Sequence, residues 1–439
     1  MPRSTSSTNV LPIVTVQPDF RTVISEVHSG LLPSESVWVS CYKTDCPSVH
    51  AKVNVVLDEV DRDAIHFDVR EGDVKIQRNG DAYTIACPPL SIPPTNIIFP
   101  TREFPDPDHA NPQRPPQRIT TFDISPDGTQ FASGFHDGSI RISTTDLTPP
   151  RKIPKLHLST VTSVQFFPSS RVLLTAGADF TLTILPADIP SADSVPPAAA
   201  LPPARILKGH TRAITSIAII SRGRNVLSGS KDGTVRLWDV SSGTEICSLV
   251  TGKGRCTPIT AMSIGPKGDV TIAAVNGATT ARDGREVDTA DKLVFCALQD
   301  GSYEVFDLGS KLSIFQSTPT SPGAGSLSAI TYLPSRNFLA TGSSKGIISV
   351  YSTLDLSFPL TSFMRNGASI ESLAFTSAGM ALAVATDDGL PSIASISLDK
   401  PTIQAELIGG DCEGVRVVRS KEGEVWTAGD DGVVRVYQC

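Results

Sequence analysis

The stretch Leu207-Lys208-Gly209-His210, with Leu227-Ser228-Gly229-Ser230-Lys231-Asp232-Gly233-Thr234-Val235-Arg236-Leu237-Trp238-Asp239 behind it, is the best-formed copy of a unit that recurs along most of this chain. Its most regular part is a turn ahead of a strand. The turn reads His136-Asp137-Gly138, Ala178-Asp179-Phe180, Lys231-Asp232-Gly233, Gln299-Asp300-Gly301, Ser344-Lys345-Gly346, Asp387-Asp388-Gly389 and Asp430-Asp431-Gly432. A tight hairpin needs a residue tolerant of positive φ, hence Gly in third place, and Phe180 is the one departure. The central residues are spaced by 42, 53, 68, 45, 43 and 43, so the two long intervals mark insertions rather than missing units. Self-similarity at about 40–45 residues is the mark of four-stranded propeller blades.

A second register counts the same blades. An innermost strand with alternating burial appears as Ile119-Thr-Thr-Phe122, Val161-Thr-Ser-Val164, Ile214-Thr-Ser-Ile217 and Ile259-Thr-Ala-Met262. It continues as Leu327-Ser-Ala-Ile330, Ile370-Glu-Ser-Leu373 and Val415-Arg-Val-Val418. Both registers give seven and agree blade for blade. The fold expected is all-β: a seven-bladed WD40 β-propeller over residues 95–439 with a small β-rich N-terminal domain over residues 21–94, behind a disordered tail at residues 1–20. Strand-like runs in that domain fall at 36–42, 51–57, 64–69, 73–77 and 82–87, with Asn79-Gly80 as a hairpin signal. The last blade ends at its third strand, and sheets avoid raw edges. Residues 96–99 (Asn96-Ile-Ile-Phe99) are the expected donor of its fourth strand, followed by a mobile Pro-rich loop at 100–116. The Pro/Ala-rich insertion at 187–204 reads as a flexible excursion, and a second insertion at 265–292 splits the fourth blade and ends in a charged run.

Composition narrows the function classes. Lys and Arg total 38 against 45 Asp and Glu, a net charge of −7, which is unsuited to non-specific nucleic-acid binding. The eight cysteines show no CxxC spacing and no cluster with histidine, so reduced thiols and no metal are expected. There is no apolar signal core at the N-terminus and no run long enough to span a membrane, so the expected setting is the cytoplasm and also the nucleus. No phosphate-binding Gly loop, HExxH or nucleophile elbow is present, so no cofactor and no enzymatic activity are expected.

His210, Asp232, a hydroxyl from Ser228 or Ser230, and Trp238 fall where such a repeat builds an internal hydrogen-bonded chain that rigidifies one blade. Only the third blade carries the full set; the others are expected to rely on apolar packing. Around the central mouth, the second position of the innermost strand reads Thr120, Thr162, Thr215, Thr260, Ser328, Glu371 and Arg416. With Glu371, the loop carboxylates Asp411 and Glu413 and the turn carboxylates Asp387, Asp388, Asp430 and Asp431 form a candidate acidic patch on blades six and seven for a basic partner. The alternative is a solvated face of ordinary turn formers.

Beyond the repeat, the chain resembles the proteasomal ATPase-associated factor family. The similarity runs through Arg222-Gly-Arg-Asn-Val226 into Ser228–Asp239, through Arg285-Glu-Val-Asp-Thr289, Gly410-Asp-Cys-Glu413 and Asp431-Gly-Val-Val-Arg-Val-Tyr437, and through Trp38-Val-Ser-Cys41 and Ala86-Cys-Pro88. The resemblance implies an assembly chaperone of the proteasome regulatory particle, monomeric when free. It would bind the C-terminal domain of a proteasomal ATPase subunit through acidic residues, of which Asp411 and Glu413 occupy the matching loop. The insertion at 187–204 departs from the family pattern. A second reading is a substrate receptor of a ubiquitin ligase. Trp238-Asp239 is followed by Val240-Ser241 rather than by an Arg two residues on, which counts against it.

Overall fold

The structure is a computed structural model and describes residues 8–58, 64–80, 82–106, 116–146, 150–188, 202–268, 282–319, 323–377, 379–397, 400–410 and 412–439. Among them the strands build a seven-bladed β-propeller, each blade an antiparallel meander. The third blade is representative, with strands Ile214–Ile220, Asn225–Ser230, Thr234–Asp239 and Thr244–Val250 from the axis outward. Second strands such as Gln130–Phe135 and Ala381–Thr386 are buried along their whole length, because neighbouring blades cover both faces. Blades meet closely there. A Cβ on Gly134 would lie 2.6 Å from a methyl of Val161, the first strand residue of the next blade.

Phe180 takes the turn position that Gly holds elsewhere and adopts φ 70°, in the left-handed region. The described part of the 265–292 insertion does not float free. The Asn225 side chain of blade three receives the Val287 N–H at 2.7 Å and donates to the Arg285 carbonyl at 3.2 Å. Glu286 pairs with Lys311 of blade four at 2.6 Å, so this segment stitches two blades together on the face away from the second-to-third-strand turns. Most of the 187–204 insertion lies outside the described residues.

The first hundred residues depart from expectation in four places. The described part of the expected tail forms strands: Asn9–Val10 pairs in parallel with the outer strand Thr361–Met364 of blade five, and Ile13–Val16 opens a four-stranded sheet with Ser34–Tyr42, Val49–Leu57 and Ile65–Glu71. Only the extreme N-terminus is Ser/Thr-rich; Val10 to Val16 is apolar enough to pay for ordering. A helix, Phe20–His28, was not expected, although Phe20, Val23, Ile24 and Val27 recur at helical spacing and all four are buried. A boundary at 94/95 cuts the strand Ile92–Ile98. That strand pairs with Ala82–Cys87 on one side and, in parallel, with the outer strand Ile403–Leu407 of blade six on the other. The hairpin Lys75–Asn79/Ala82–Cys87 thus extends blade six into a seven-stranded sheet.

The fourth correction concerns ring closure. Residues 96–99 do not complete blade seven. Arg102–Phe104 does, antiparallel to Val434–Gln438, and so a strand lies inside the stretch expected to be a loop. The more apolar Ile97 is committed to the core of the N-terminal region. An outer strand needs only one inward face, and Phe104 supplies it by stacking on Trp426 with ring centroids 6.0 Å apart and by packing on Phe131 at 5.0 Å. Phe104→Ala is expected to lower unfolding free energy by about 2–3 kcal/mol, at the low end for a buried aromatic because the ring is only half covered. Urea denaturation checks this, and an unchanged midpoint would show that closure does not rest on this side chain.

Candidate functional site

Four side chains of blade three form one buried chain. The Trp238 indole N–H donates to Ser228 Oγ at 2.9 Å, and Ser228 Oγ lies 2.7 Å from His210 Nε2. His210 Nδ1 is 2.8 Å from Asp232 Oδ2, which also accepts the Thr211 N–H. The arrangement fixes the histidine tautomer: the hydroxyl donates to Nε2, and Nδ1–H donates to the carboxylate. Burial works to raise the Asp232 pKa, but hydrogen bonds from His210, Thr234 and Thr211 outweigh it and hold the carboxyl well below its usual range. Ser230, the other candidate hydroxyl, instead donates to the carbonyls of Arg212 and Ala213. Ser228 is fully buried and His210 nearly so, which keeps substrate away from this Ser–His–Asp set.

Blade two repeats the device, contrary to the expectation that only blade three would carry it. His157 Nδ1 lies 3.1 Å from Asp179 Oδ1, and Nε2 lies 2.9 Å from Thr175 Oγ1. The sequence separations, 22 and 18, are the same as in blade three. That spacing was the available signal. It went unseen because Leu185 stands where blade three has Trp238 and Phe180 where it has Gly233. Burial pushes the His157 pKa down, against the opposing pull of Asp179.

The mouth-lining register has a different role from the one expected. In every blade the pairing of first and second strands slips at this position, so each of the seven residues is a β-bulge. Thr120, Thr215 and Ser328 each donate to a carbonyl of their own second strand or to the first-strand carbonyl of the next blade, Val161, Ile259 and Ile370 respectively. Thr162 and Thr260 bond within their blades. At the seam of blades six and seven the hydroxyl is replaced by an ion pair. Arg416 reaches Glu371 at 3.3 Å and Asp430 at 2.6 Å. The hydrogen bond to Asp430 leads in raising the Arg416 pKa, so the cation is firmly held.

This divides the candidate acidic patch. Glu371 and Asp430 share the single cation Arg416. Asp431 pairs with Arg435, which Glu103 of the closing strand also contacts at 3.0 Å. Asp388 is spent on its own turn, accepting from Thr386 Oγ1, the Leu390 N–H and the Asn366 amide. Asp387 and Glu413 are exposed, and neither has an ion-pair partner among the described residues. They are neighbours, since the tight turn at Gly389 abuts the backbone of Cys412 and Glu413. Asp411 lies outside the described residues. Among those residues no group of His, Cys, Asp and Glu is placed to hold a metal ion, and no helix is long and apolar enough to cross a membrane.

The family model for the WD domain, G-beta repeat, matches residues 111–142, 149–184 and 201–239. Over 291 residues the chain is 26% identical to the 26S proteasome regulatory subunit RPN14 of Saccharomyces cerevisiae. The chain thus carries WD40 repeats over those residues and is similar to that proteasome regulatory subunit. The aligned part covers 65% of this chain and spans 66% of the length of that relative.

Two variants test the buried networks. Trp238→Phe removes the indole donor and leaves the Ser228 hydroxyl short of a partner, an expected loss of about 1–3 kcal/mol. Unchanged thermal unfolding would mean the bond contributes nothing. For His157 the folded pKa lies below the unfolded value of about 6.5. Stability from this group is therefore complete above that pH and is lost as pH falls toward the folded pKa. The stability gap between wild type and His157→Gln should narrow between about pH 7.5 and about pH 5.5. A gap that is constant or widens would contradict a buried neutral imidazole.

Proposed function

We propose that this protein is a non-catalytic chaperone for assembly of the proteasome regulatory particle, and that it captures the C-terminal domain of a proteasomal ATPase subunit on the acidic corner of blades six and seven. The observation that carries the reading is the adjacent pair Asp387 and Glu413, exposed and without an ion-pair partner among the described residues, beside carboxylates that share the cation of Arg416. Similarity to a proteasome regulatory subunit supports the choice of partner. Such a corner attracts a basic surface without any cost of breaking internal ion pairs, and it is rigid because the Arg416 cluster and the closing strand fix the seam beneath it. The protein acts as a monomer when free, in the cytoplasm and the nucleus.

Charge reversal at this corner costs the fold little, since both carboxylates are solvated. Asp387→Lys with Glu413→Lys is expected to weaken capture of the ATPase C-terminal domain by at least about tenfold, because like-charge juxtaposition across an interface costs a few kcal/mol. Wild-type binding should fall with added salt, as exposed charges are screened over about 8–10 Å. Pull-downs against the C-terminal domain of each ATPase subunit, with circular dichroism of both proteins, make the measurement. Binding undiminished in the double variant moves the interface away from this corner, and capture of none of the domains removes the reading.

A further inference from the structure

Across the ring from the acidic corner, the same face changes character. Leu158, in the loop entering blade two, is 93% exposed, and Phe180 in the adjoining turn is 42% exposed. They are held side by side, because the Leu158 N–H donates to Asp179 at 2.9 Å. Phe180 occupies a left-handed position where the other turns use Gly, so a bulky apolar side chain is displayed there at a conformational cost. Part of the Phe180 ring is covered, and the rest faces solvent at this turn.

Cations follow this apolar pair along the rim from blade two toward blade four. Lys208 is paired in register with Thr181, next to Phe180. Arg212 follows in the loop entering blade three, and the Lys231 N–H bonds to the Ala213 carbonyl of that loop. Gly233 in the same turn abuts the backbone of Cys256, beside Arg255 and Lys253. All five cations are exposed, and none has an ion-pair partner among the described residues. The loop that carries the last two is fixed. Gly252, Lys253, Gly254 and Cys256 all have positive φ, and the Gly252 N–H donates to the fully buried Glu304 carboxylate at 2.7 Å. The carboxylates on this side are Asp179 and Asp232, which are consumed by the buried histidines, and Asp300, which accepts from the Ser302 N–H and hydroxyl.

We infer that the rim of blades two to four, with Leu158 and Phe180 as apolar anchors and Lys208, Arg212, Lys231, Lys253 and Arg255 around them, is a second docking surface whose occupant is an acidic protein segment bearing an apolar side chain. Charge complementarity selects the segment, since five unpaired cations on a chain of net charge −7 concentrate attraction for carboxylates at one place. The exposed Leu and Phe select protein over nucleic acid, because a phosphate backbone makes no use of an aliphatic anchor. This surface is separate from the acidic corner and takes a ligand of the opposite sign.

The test uses the full-length protein and a fluorescein-labelled peptide of glutamates carrying two leucines, followed by anisotropy. Wild type should bind saturably. Arg212→Glu, Lys231→Glu and Arg255→Glu together should weaken binding by at least about tenfold. Leu158→Ser with Phe180→Gly should weaken it by about fivefold. For the second variant, Gly at 180 relieves the positive-φ strain but gives up the covered part of the ring, so its binding is read only alongside a circular dichroism melt that shows the fold is kept. Asp387→Lys with Glu413→Lys should leave peptide binding undiminished, which separates this surface from the proposed chaperone site. No saturable binding, equal binding by the rim variants, or equal displacement by oligothymidylate and by unlabelled peptide would each overturn the assignment.

Discussion

Everything in this architecture depends on the last blade obtaining its fourth strand from the other end of the chain. Three short backbone pairings, Val434 with Phe104, Arg435 with Glu103 and Val436 with Arg102, convert an open arc of sheets into a ring. The side chains around them carry as much of the load as the ladder does. Arg102 pairs with Glu424 at 2.6 Å and lies over the Trp426 ring, and Asp106, just past the strand, pairs with the buried Arg141 of blade one at 3.0 Å. The segment therefore joins blade seven and blade one as well as completing the former. Loop-closure entropy grows with the logarithm of length, so joining residues more than 300 apart costs about 3–4 kcal/mol more than joining near neighbours.

The N-terminal hundred residues act as a strap over this seam. Residues 9–10 pair with blade five, 96–98 with blade six and 102–104 with blade seven, so one stretch of chain secures three consecutive blades. Between the first two contacts sits Glu406 of blade six, which accepts the Val14 N–H at 3.0 Å and a bidentate bond from Arg365 of blade five at 2.6 and 2.8 Å. Burial raises the Glu406 pKa and Arg365 opposes it. A buried pair of this kind is poor evidence of net stability, but breaking it from either side leaves an uncompensated charge. Its geometry selects one docking arrangement of the N-terminal sheet among the many that an apolar contact would accept.

The blade count and the fold class were legible in the sequence because both rest on local backbone needs. An Asp-Gly turn demands positive φ, and alternation follows from a strand with one side toward the next blade. The strap was not legible because its pairings are non-local, and the strands at residues 9–10 and 102–104 are too short for periodicity. Arg102-Glu103-Phe104 carries a single apolar residue, whereas Asn96-Ile97-Ile98-Phe99 looks the better strand and is needed elsewhere. The helix at Phe20–His28 and the second histidine network were written plainly, one in its spacing and one in its repeat of 22 and 18. The network is masked by Leu185 and Phe180, which stand where blade three has Trp238 and Gly233. For the candidate site, residue type located the carboxylates but not their partners. Whether Asp430 or Asp387 faces outward uncompensated is decided by Arg416, whose role as the bulge residue of blade seven appears only once the strands are paired.

That bulge position explains why charge is tolerated at one seam and not elsewhere. In most blades a hydroxyl there satisfies backbone carbonyls, and a longer side chain would forfeit those bonds. Between blades six and seven, Glu371 and Arg416 face each other at 3.3 Å, so substituting Arg416 would strand two half-buried carboxylates, whereas substituting Glu371 leaves Arg416 held by Asp430. The pair is a unit. By absorbing Asp430 as well, Arg416 removes the carboxylates nearest the axis from the exposed field and leaves Asp387 and Glu413 farther along the rim. With the exposed cations on blades two to four, the face is then negative at one edge and positive at the other. Such a face orients an approaching partner rather than merely attracting it, because a torque between opposed charges acts before contact wherever salt leaves their separation within a screening length or two.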